Sequence, residues 1–439
     1  MPGKPYLLEP ELEGMPKPQL RERQTALLKK TVERCYANVE MYKAKFDKHG
    51  ITPSDIMTLE DIKKLPFTGK EDLRLRFPTN GLLAVPQEEV VRLHMTSGTT
   101  GKPTLSPLTQ KDLDLAYRLF ARGFAAMGAN KNDVFQCLVG YGLFLGGLVT
   151  GPAAELVGMM HIPAGSGVNS TRQLEFIQDL GTTVMVGTPS FLLHVTEVAK
   201  QNGIDVGTLG VKALIAGAEA CSAKTRQKLR EDWNADVFDV GGTCELLHIW
   251  HECSEHGGLH VAEDAVIFEI LDPTTGEDVA PGERGELVVT TLLKEAMPLI
   301  RWRTGDMTRV VSEEPCPCGR TSRKINHLSG RVDDMIKLKG VVVFPSQIEG
   351  IIRSNNELRD SEFQLVVFTT DSFVDNLTVR LEIPDAARKK SESIIKKIKD
   401  EIHSKLLLNV GIELLEVGEL PRFTHKAQRV VDKRNIGSN

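Results

Sequence analysis

The sequence predicts an α/β fold, with a large N-terminal domain of mixed sheets and helices and a small C-terminal α+β domain. Two observations carry this prediction. Short apolar strands follow helix-like segments in the larger part of the chain, which is typical of βα units and of a mixed or parallel sheet. After about residue 330 the order changes to strands before a helix, then two strands and a lysine-rich helix. We therefore predict domains at residues 1–330 and 334–439.

Periodicity predicts the individual elements. Apolar residues recur at helical spacing over residues 17–50 and over Thr109–Met127. Apolar runs that end in turn-forming residues predict strands. In the large domain these runs are Thr183–Gly187, Val211–Gly217, Ala265–Leu271 and Gly285–Thr291. In the small domain the strands are predicted at Gln364–Thr369 and Leu377–Ile383, and the lysine-rich helix at Ala386–Leu407.

Length and composition restrict the class of protein. The chain has 439 residues, of which 41% are hydrophobic and 26% charged, a balance typical of globular proteins. This balance excludes a disordered chain and a fibre. The formal net charge of −5 argues against binding driven by overall positive charge, so we expect no nucleic-acid partner.

No membrane or secretory segment is expected. The N-terminus is charged and interrupted by prolines, without the apolar region of a signal peptide. The uncharged run Val134–Ala154 is just long enough for a membrane span, but its five glycines, glutamine and proline favour a buried segment. Seven cysteines are too few for a disulfide framework, so we expect a cytoplasmic protein with thiols or a metal site.

A candidate phosphate-binding loop lies at residues 96–103, TSGTTGKP. In such a loop, backbone N–H groups and hydroxyls surround phosphate oxygens, and Lys102 adds a positive charge. The spacing differs from that of a Walker A loop, and alone the segment is also compatible with a polar turn. The candidate phosphate ligands are Ser97, Gly98, Thr99, Thr100, Gly101 and Lys102.

This segment resembles the ATP-binding signature of the adenylate-forming superfamily of acyl-CoA synthetases, adenylation domains and luciferases. Further motifs follow in the expected order: RTGD at 303–306, GRVDD at 330–334 and Lys426 in PRFTHKAQRVVDKR. Within the superfamily, YGLF at 141–144, TLLKEAMPLIRWRTGD and GVVVFPSQIE resemble the phenylacetate–CoA ligase family. The resemblance covers nearly the whole chain.

The resemblance implies a reaction in two steps. A carboxylate attacks the α-phosphate of ATP and releases pyrophosphate, and the thiol of CoA then displaces AMP from the acyl-adenylate. The first step brings two anions together, so the site must supply positive charge. Lys426 would bridge the carboxylate and the α-phosphate, and Glu245 would hold Mg²⁺ on the phosphates. These two are the candidate catalytic residues.

The resemblance also implies the remaining nucleotide contacts. Asp306 would accept hydrogen bonds from the ribose hydroxyls, and Arg331 would contact the ribose or phosphates, with Arg320 as a weaker candidate. Two segments that we expect to follow strands would contact adenine and phosphates. Their residues are Gly217, Ala218 and Glu219 in the first, and Asp239, Val240, Gly241 and Thr243 in the second.

The second segment departs from the family pattern at two positions. Gly241 stands where the family often has an aromatic residue, which either removes a stacking face for adenine or opens room for a larger acid. Cys244 stands in the hydroxyl position, so Thr243 could substitute for it, or the register could slip by one residue. We do not expect Cys244 to be a nucleophile, because no paired base is evident.

An aromatic acid needs an apolar cavity with small residues at its floor. The candidate pocket residues are Tyr141, Gly142, Phe144, Ala216 and Gly241. The resemblance further implies a hinge at Asp333, about which the small domain would move after adenylation. It places Lys339 and Gly340 on the face that would admit CoA.

A zinc site is predicted from the residues themselves. Cys316 and Cys318 lie on one tight turn, and Cys253 and His260 come from an earlier segment. Three sulfurs and one imidazole suit a structural tetrahedral Zn²⁺. His256 is a competing ligand, and reduced cysteines in loops are the alternative.

The sequence therefore predicts an aryl- or arylacetyl-CoA ligase that uses ATP, Mg²⁺ and CoA, holds Zn²⁺ and acts on a small aromatic carboxylic acid. A homodimer is one compatible assembly. One alternative is an adenylate-forming enzyme with another acceptor, either an adenylyltransferase or an enzyme that loads a carrier protein. Another is a non-enzymatic zinc-knuckle binding protein.

Overall fold

A computed structural model describes residues 3–96, 103–219, 221–328, 336–338, 341–343, 345–359, 361–369, 375–406, 408–420 and 429–433. The chain divides into two compact units. The large unit contains residues 1–221 and 229–327, and the small unit contains residues 222–228 and 328–439.

The helices that begin in the first 233 residues are α1 Pro10–Glu13, α2 Lys17–Asn38, α3 Glu40–His49, α4 Lys70–Arg74, α5 Gln110–Ala126, α6 Leu145–Val157, α7 Ser170–Leu180, α8 Pro189–Gln201 and α9 Ala223–Trp233. The single helix predicted over 17–50 is wrong. Val39 has extended backbone angles (φ −107°, ψ 103°) and separates α2 from α3. The helix predicted at Thr109–Met127 is confirmed as α5, which begins at a capping box formed by Thr109 and Asp112.

The strands of the large unit are β1 Arg92–Met95, β2 Leu105–Leu108, β3 Val134–Cys137, β4 Met160–Ile162, β5 Val184–Gly187, β6 Ala213–Ala216, β7 Asp236–Thr243, β8 Leu247–Glu252, β9 Leu259–Val261, β10 Val266–Leu271, β11 Gly285–Thr291, β12 Trp302–Thr308, β13 Val310–Ser312 and β14 Lys324–Ile325. The four strands predicted here correspond to β5, β6, β10 and β11.

A nine-stranded sheet of order β13-β14-β9-β8-β7-β6-β5-β3-β4 organises the large unit. Strands β4, β3, β5, β6 and β7 are parallel, and we call them the parallel half. Strands β8, β9, β14 and β13 continue the sheet with antiparallel pairing, and we call them the antiparallel half. Every residue of β5 and β6 is buried, as expected for parallel strands covered on both faces.

Two smaller antiparallel sheets complete the large unit. Strands β10, β11 and β12 form one, and β1 and β2 form the other. The register of the second pairs Met95 with Leu105, so β1 and β2 lie on either side of the candidate phosphate-binding segment.

The apolar run Val134–Ala154 contains β3 and most of α6, which has 13 residues. Among the described residues, no helix combines the length and apolar character needed to cross a membrane. The prediction that this run is a buried glycine-rich segment is confirmed in part. Phe135, Val149 and Ala153 are fully buried, whereas Leu143 is exposed.

The small unit has its own sheet and core. Its strands are β15 Ile336–Leu338, β16 Val341–Val343, β17 Phe363–Thr369, β18 Asp375–Glu382, β19 Gly411–Leu415 and β20 Val430–Asp432. Its later helices are α10 Pro345–Arg353, α11 Asp385–Arg388 and α12 Ser391–Leu406. The main sheet has the order β19-β18-β17-β20, and Ile394, Ile398 and Ile402 of α12 pack into the core at helical spacing. The lysine-rich helix predicted at Ala386–Leu407 is divided into α11 and α12.

Candidate active site and candidate metal centre

Several predicted site residues lie outside the part of the chain that the structure describes. They are Ser97, Gly98, Thr99, Thr100, Gly101, Lys102, Arg331, Asp333, Lys339, Gly340 and Lys426. The other predicted residues can be located.

The adenine-contacting candidates lie where the parallel strands end. Because β5, β6 and β7 run in the same direction, their carboxyl ends share one edge of the sheet, where α/β folds commonly bind ligands. Gly217 follows β6, and its N–H donates to the carbonyl of Gly187 at the end of β5 (3.1 Å). A Cβ at Gly217 would lie 3.2 Å from the carbonyl oxygen of Val240. The turn after the buried Ala216 therefore lies close against β7.

The rest of this turn is held by α8. Ala218 has a positive φ of 65°. The carboxylate of Glu219 accepts hydrogen bonds from the Ser190 hydroxyl (3.0 Å) and the Ser190 backbone N–H (3.2 Å). Gly217, Ala218 and Glu219 thus form one anchored turn at the ligand edge of the sheet.

The candidates from Asp239 to Thr243 lie within β7, rather than after a strand as predicted. The carboxylate of Asp239 contacts the Nδ1 atom of His327 at 2.8 Å, and its backbone N–H donates to Glu252 (2.9 Å). His327 is a neighbour that the sequence reasoning missed, because it lies 88 residues from Asp239 in the chain.

Asp306 is buried in β12, after Gly305 with a positive φ of 77°. Its N–H donates to the hydroxyl of Thr304 (2.9 Å). Thr308 of the same strand donates to the carbonyl of Asn326 (2.8 Å), next to His327. The strand that carries the TGD motif is therefore connected through Thr308 and residues 326–327 to Asp239.

The unusual glycine at position 241 has a structural explanation. Gly241 pairs with Trp250 across β7 and β8, and a Cβ at Gly241 would lie 2.1 Å from the indole Nε1. Trp250 is buried, so its ring fills the volume that a side chain at 241 would need. The structure therefore offers no open room for a larger acid directly at this Cα.

Glu245 lies in the turn between β7 and β8 and is buried. Its Oε1 atom accepts a hydrogen bond from the Thr104 hydroxyl at 2.5 Å. The backbone N–H of Thr104 in turn donates a hydrogen bond to the hydroxyl oxygen of Thr96 (3.0 Å). Because Thr96 and Thr104 lie close to the two ends of the phosphate-binding segment, this carboxylate lies beside its base. A carboxylate oxygen in this position suits Mg²⁺ bound to phosphates.

Lys294 is a site residue that the sequence reasoning missed. Its side chain is completely buried, and its Nζ atom donates to the Ser106 hydroxyl (2.9 Å) and the Glu245 carbonyl (2.7 Å). Burial lowers the pKa of Lys294 to about 8. The available signal was the lysine in the largely apolar segment TLLKEAMPLI, which pointed only to the family resemblance.

Cys244 and Thr243 have distinct environments. The sulfur of Cys244 lies 3.8 Å from the carbonyl of Met95, and burial raises the pKa of this thiol to about 11. Only the thiolate is a good nucleophile, so this environment supports the expectation that Cys244 is not one. The hydroxyl of Thr243 accepts a hydrogen bond from the N–H of Leu246 (3.2 Å) and stabilises the turn.

Of the candidate acid-pocket residues, Tyr141, Gly142 and Phe144 lie between β3 and α6, whereas Ala216 ends β6 and Gly241 lies in β7. Tyr141 and Phe144 are 41% and 40% exposed, and a Cβ at Gly142 would meet nothing within 4 Å. The Tyr141 hydroxyl lies 3.4 Å from Nε2 of His161, another residue not predicted from the sequence. The carbonyl of Leu143 accepts a hydrogen bond from the N–H of Met95 (3.0 Å). This bond connects the YGLF segment to the strand that precedes the phosphate-binding segment.

The predicted metal ligands come together. Cys253, His260, Cys316 and Cys318 are all buried, with their ligand atoms within 4.8 Å of one another. The sulfurs of Cys253 and Cys316 are 3.8 Å apart, and Nε2 of His260 lies 3.5 Å from the sulfur of Cys318. We call these four residues the Cys₃His cluster. Hydrogen bonding by Cys253 and His260 lowers the pKa of Cys318, which favours the thiolate form that binds metals.

The donor set fits zinc. The three cysteines form no disulfide, and three sulfurs with one imidazole are a common tetrahedral zinc set. The Nδ1 atom of His260 lies 3.2 Å from the Ser322 hydroxyl, which orients Nε2 towards the sulfurs.

His256 and Arg320 have other roles. His256 contacts Glu252 at 3.0 Å and stacks on Phe238. Of the two competing histidines, His260 therefore joins the cluster and His256 does not. Arg320 is buried in an ion pair with Glu13 at 2.6 Å and donates to the carbonyl of Tyr6 (3.1 Å). Its guanidinium is thus engaged by the N-terminal segment, contrary to its weaker candidacy as a phosphate contact.

Comparison with known proteins agrees with this geometry. Residues 29–292 match the family model of AMP-binding enzymes, and residues 340–434 match that of the AMP-binding enzyme C-terminal domain. The fold and the site thus define an AMP-binding enzyme of the adenylate-forming superfamily.

The phenylacetate–coenzyme A ligase of Aromatoleum evansii is 37% identical over 97% of this chain and 97% of its own. That of Thermus thermophilus is 35% identical over 98% of this chain and 100% of its own. A crystal structure of 2-hydroxyisobutyryl-CoA ligase in complex with R3-HIB-AMP is 25% identical, with a TM-score of 0.88 over 97% of this chain and 92% of that chain. The chain belongs to the phenylacetate–coenzyme A ligase family. The predicted family and fold class are confirmed.

Proposed function

We propose that this protein is an ATP-dependent acid–CoA ligase that converts an aromatic or arylacetic acid into an acyl-adenylate and then into an acyl-CoA thioester. The observation that supports this reaction is the position of Glu245. Its buried carboxylate is bonded to Thr104 beside the base of the TSGTTGKP segment, at the ligand edge of the parallel half. Acid, ATP and CoA are its substrates, and AMP and pyrophosphate its other products.

The site residues take distinct roles in adenylation. The residues from Ser97 to Lys102 bind the phosphates, and Asp306 orients the ribose. Glu245 holds Mg²⁺, which supplies positive charge at the phosphate oxygens. Lys426 supplies further positive charge where the acid carboxylate approaches the α-phosphate.

The remaining nucleotide contacts are assigned in the same way. The Gly217–Glu219 turn contacts adenine, and Arg331 contacts the ribose or phosphates. Asp239 and its neighbours in β7 form the wall beside the nucleotide. Asp333 is the hinge, and Lys339 and Gly340 contact CoA.

An aromatic acid fits the residues around Tyr141. Two half-exposed aromatic side chains, Tyr141 and Phe144, flank the open space at Gly142, and a flat ring can pack against such surfaces. Because the relatives are phenylacetate–coenzyme A ligases, phenylacetate is the first acid to test.

The Cys₃His cluster is assigned to a structural Zn²⁺. Four protein ligands leave no open coordination position, so this metal would stabilise the loops of the antiparallel half without taking part in the reaction. A cytoplasmic location and a homodimer stay predictions.

The test measures pyrophosphate and AMP with ATP, Mg²⁺ and a panel of phenylacetate, benzoate and indoleacetate, each with and without CoA. We expect acid-dependent pyrophosphate release and CoA-dependent AMP turnover with formation of a thioester. Turnover that does not depend on CoA would favour the alternative with another acceptor. Absence of acid-dependent pyrophosphate with every acid would contradict the ligase assignment.

The same assay tests Lys426. Lys426→Ala should abolish pyrophosphate release while the protein remains folded. Lys433→Ala, a change of an exposed lysine in the same terminal segment, is the matched control and should retain the wild-type rate. Near-normal adenylation by Lys426→Ala would remove this residue from the mechanism.

A further inference from the structure

Lys294 connects the two parts of the candidate ATP site. Its ammonium donates to the Ser106 hydroxyl in β2, the strand that follows the phosphate-binding segment, and to the main-chain carbonyl of Glu245. Thr104, two residues before Ser106, donates to the Glu245 carboxylate. Residues two apart on an extended chain project to the same side. Glu245 is therefore held at its side chain by Thr104 and at its main chain by Lys294.

The main chain around Lys294 is itself fixed. Its carbonyl accepts a hydrogen bond from Arg34 (2.6 Å). The buried carboxylate of Asp112 accepts from the next two backbone N–H groups, those of Glu295 (2.6 Å) and Ala296 (2.9 Å). Because Asp112 also caps α5, the lysine extends from a rigid base and its ammonium position is well defined.

The charge of Lys294 is unusual for a buried group. In the described parts of the chain, no carboxylate lies within ion-pair distance of its ammonium, and its two hydrogen-bond acceptors are neutral, so that the carboxylates of Asp112 and Glu245 attract it only from a greater distance. Burial of a charge without a paired charge destabilises a folded protein. An apolar side chain would fill the same space with a smaller loss of folding free energy. A role in ligand binding therefore explains better why a lysine is buried here.

We propose that Lys294 is a positioning residue for magnesium-bound ATP. It holds the Glu245 main chain and β2 in one arrangement, which fixes the position of the Glu245 carboxylate that would bind Mg²⁺. This inference rests on the proposed role of Glu245 as the Mg²⁺ ligand.

Binding measurements test this role without turnover. The affinity of the full-length protein for ATP is measured by calorimetry with and without Mg²⁺, for wild type and for Lys294→Met. Methionine retains the length of the side chain and removes the hydrogen bonds and the charge. We expect Lys294→Met to reduce the gain in ATP affinity that Mg²⁺ produces by about tenfold, the effect expected when a residue that orients a metal ligand is lost.

The matched control is Lys111→Met. Lys111 lies near the same loop and pairs with Glu295, but it is 80% exposed. It should retain the wild-type gain. Two outcomes would overturn the proposal. In the first, Lys294→Met loses the same ATP affinity with and without Mg²⁺, as expected for a purely structural role. In the second, the variant retains the wild-type gain in ATP affinity from Mg²⁺.

A second variant covers the case in which Lys294→Met does not fold. Ser106→Ala removes one of the two acceptors of Lys294 and should reduce the same gain in the same direction, and a wild-type gain in that variant would overturn the proposal. The measurement also separates the two proposals. A wild-type protein that binds ATP with a clear Mg²⁺ gain but activates no acid contradicts the proposed function and leaves Lys294 testable. A wild type without that gain overturns the role of Lys294.

Discussion

The two halves of the nine-stranded sheet build different kinds of site. In the parallel half, the chain leaves β5 and β6 at the same edge, and the Gly217–Glu219 turn and Glu245 collect there. In the antiparallel half, Cys253 follows β8, His260 lies in β9, and Cys316 and Cys318 lie between β13 and β14. Parallel strands direct several loops towards one large ligand, whereas in the antiparallel half one strand and two loops bring four short side chains together. Strand direction thus separates the proposed substrate site from the proposed structural metal site.

The largest effect is expected in the parallel half. Glu245→Gln should lower the rate of acid-dependent pyrophosphate release by about a hundredfold or more, because an amide holds Mg²⁺ on the phosphates less well than a carboxylate. Steady-state kinetics measure this rate. Glu255→Gln, which changes an exposed carboxylate beside the Cys₃His cluster, should have the wild-type rate. A near-normal rate for Glu245→Gln would break the assignment of the catalytic site to this half.

In the antiparallel half, the main effect should be on stability. Replacing both Cys316 and Cys318 by Ser should remove about one equivalent of zinc and lower the melting temperature by roughly 5 °C or more. Elemental analysis and thermal unfolding measure the two quantities. Cys221→Ser, outside the cluster, should retain the metal. Wild-type protein that is fully stable and active after purification without metal would sink the zinc assignment.

A smaller effect tests the contact where the halves meet, between β7 and β8. Gly241→Ala should destabilise the protein by about 1–3 kcal/mol, because its Cβ would collide with the Trp250 ring. Gly142→Ala is the matched control, since its Cβ enters open space, and its stability should stay near wild type. Chemical denaturation compares the two. If Gly241→Ala and Gly142→Ala lose the same stability, contact with Trp250 does not explain the glycine at position 241. Partial recovery of stability in the double variant with Trp250→Phe would support the collision.

The smallest effect is expected from His256→Ala. His256 contacts Glu252 and Phe238, away from the cluster, so this variant should retain its zinc and nearly its wild-type melting temperature. His260→Ala should lose zinc under the same conditions, because it removes one of the four ligands. Retention of zinc by His260→Ala together with loss by His256→Ala would reverse the choice of histidine.

Local patterns in the sequence predicted some elements of the fold and left others undetected. Apolar runs located β5, β6, β10 and β11, and apolar residues at helical spacing located α5. The break at Val39 was not predicted, because apolar spacing continues through it and the extended backbone appears only in the three-dimensional structure. A local sequence pattern can show that a helix is present. The position of a break in that helix depends on what α2 and α3 each pack against.

The candidate site divides in the same way. Glu245 and the four cluster residues could be found, since they lie in short motifs whose chemistry is recognisable. Lys294 and Trp250 could not, because their importance comes from contacts: Lys294 with Glu245 49 residues away, and Trp250 with Gly241 across a strand pair. Similarly, spacing alone could not separate His260 from His256, and only the positive φ and separate contacts of His256 remove it from the cluster.

The buried ion pair between Glu13 and Arg320 has a consequence for the order in which the protein is made. Glu13 leaves the ribosome well before its partner, because Arg320 is synthesised about 300 residues later. At usual rates of translation, roughly 15 to 60 s pass between the two residues. Throughout that time Glu13 cannot occupy its final environment, because the guanidinium that compensates its charge does not yet exist. Helix α1 therefore cannot complete its docking in the large unit until Arg320 has been made.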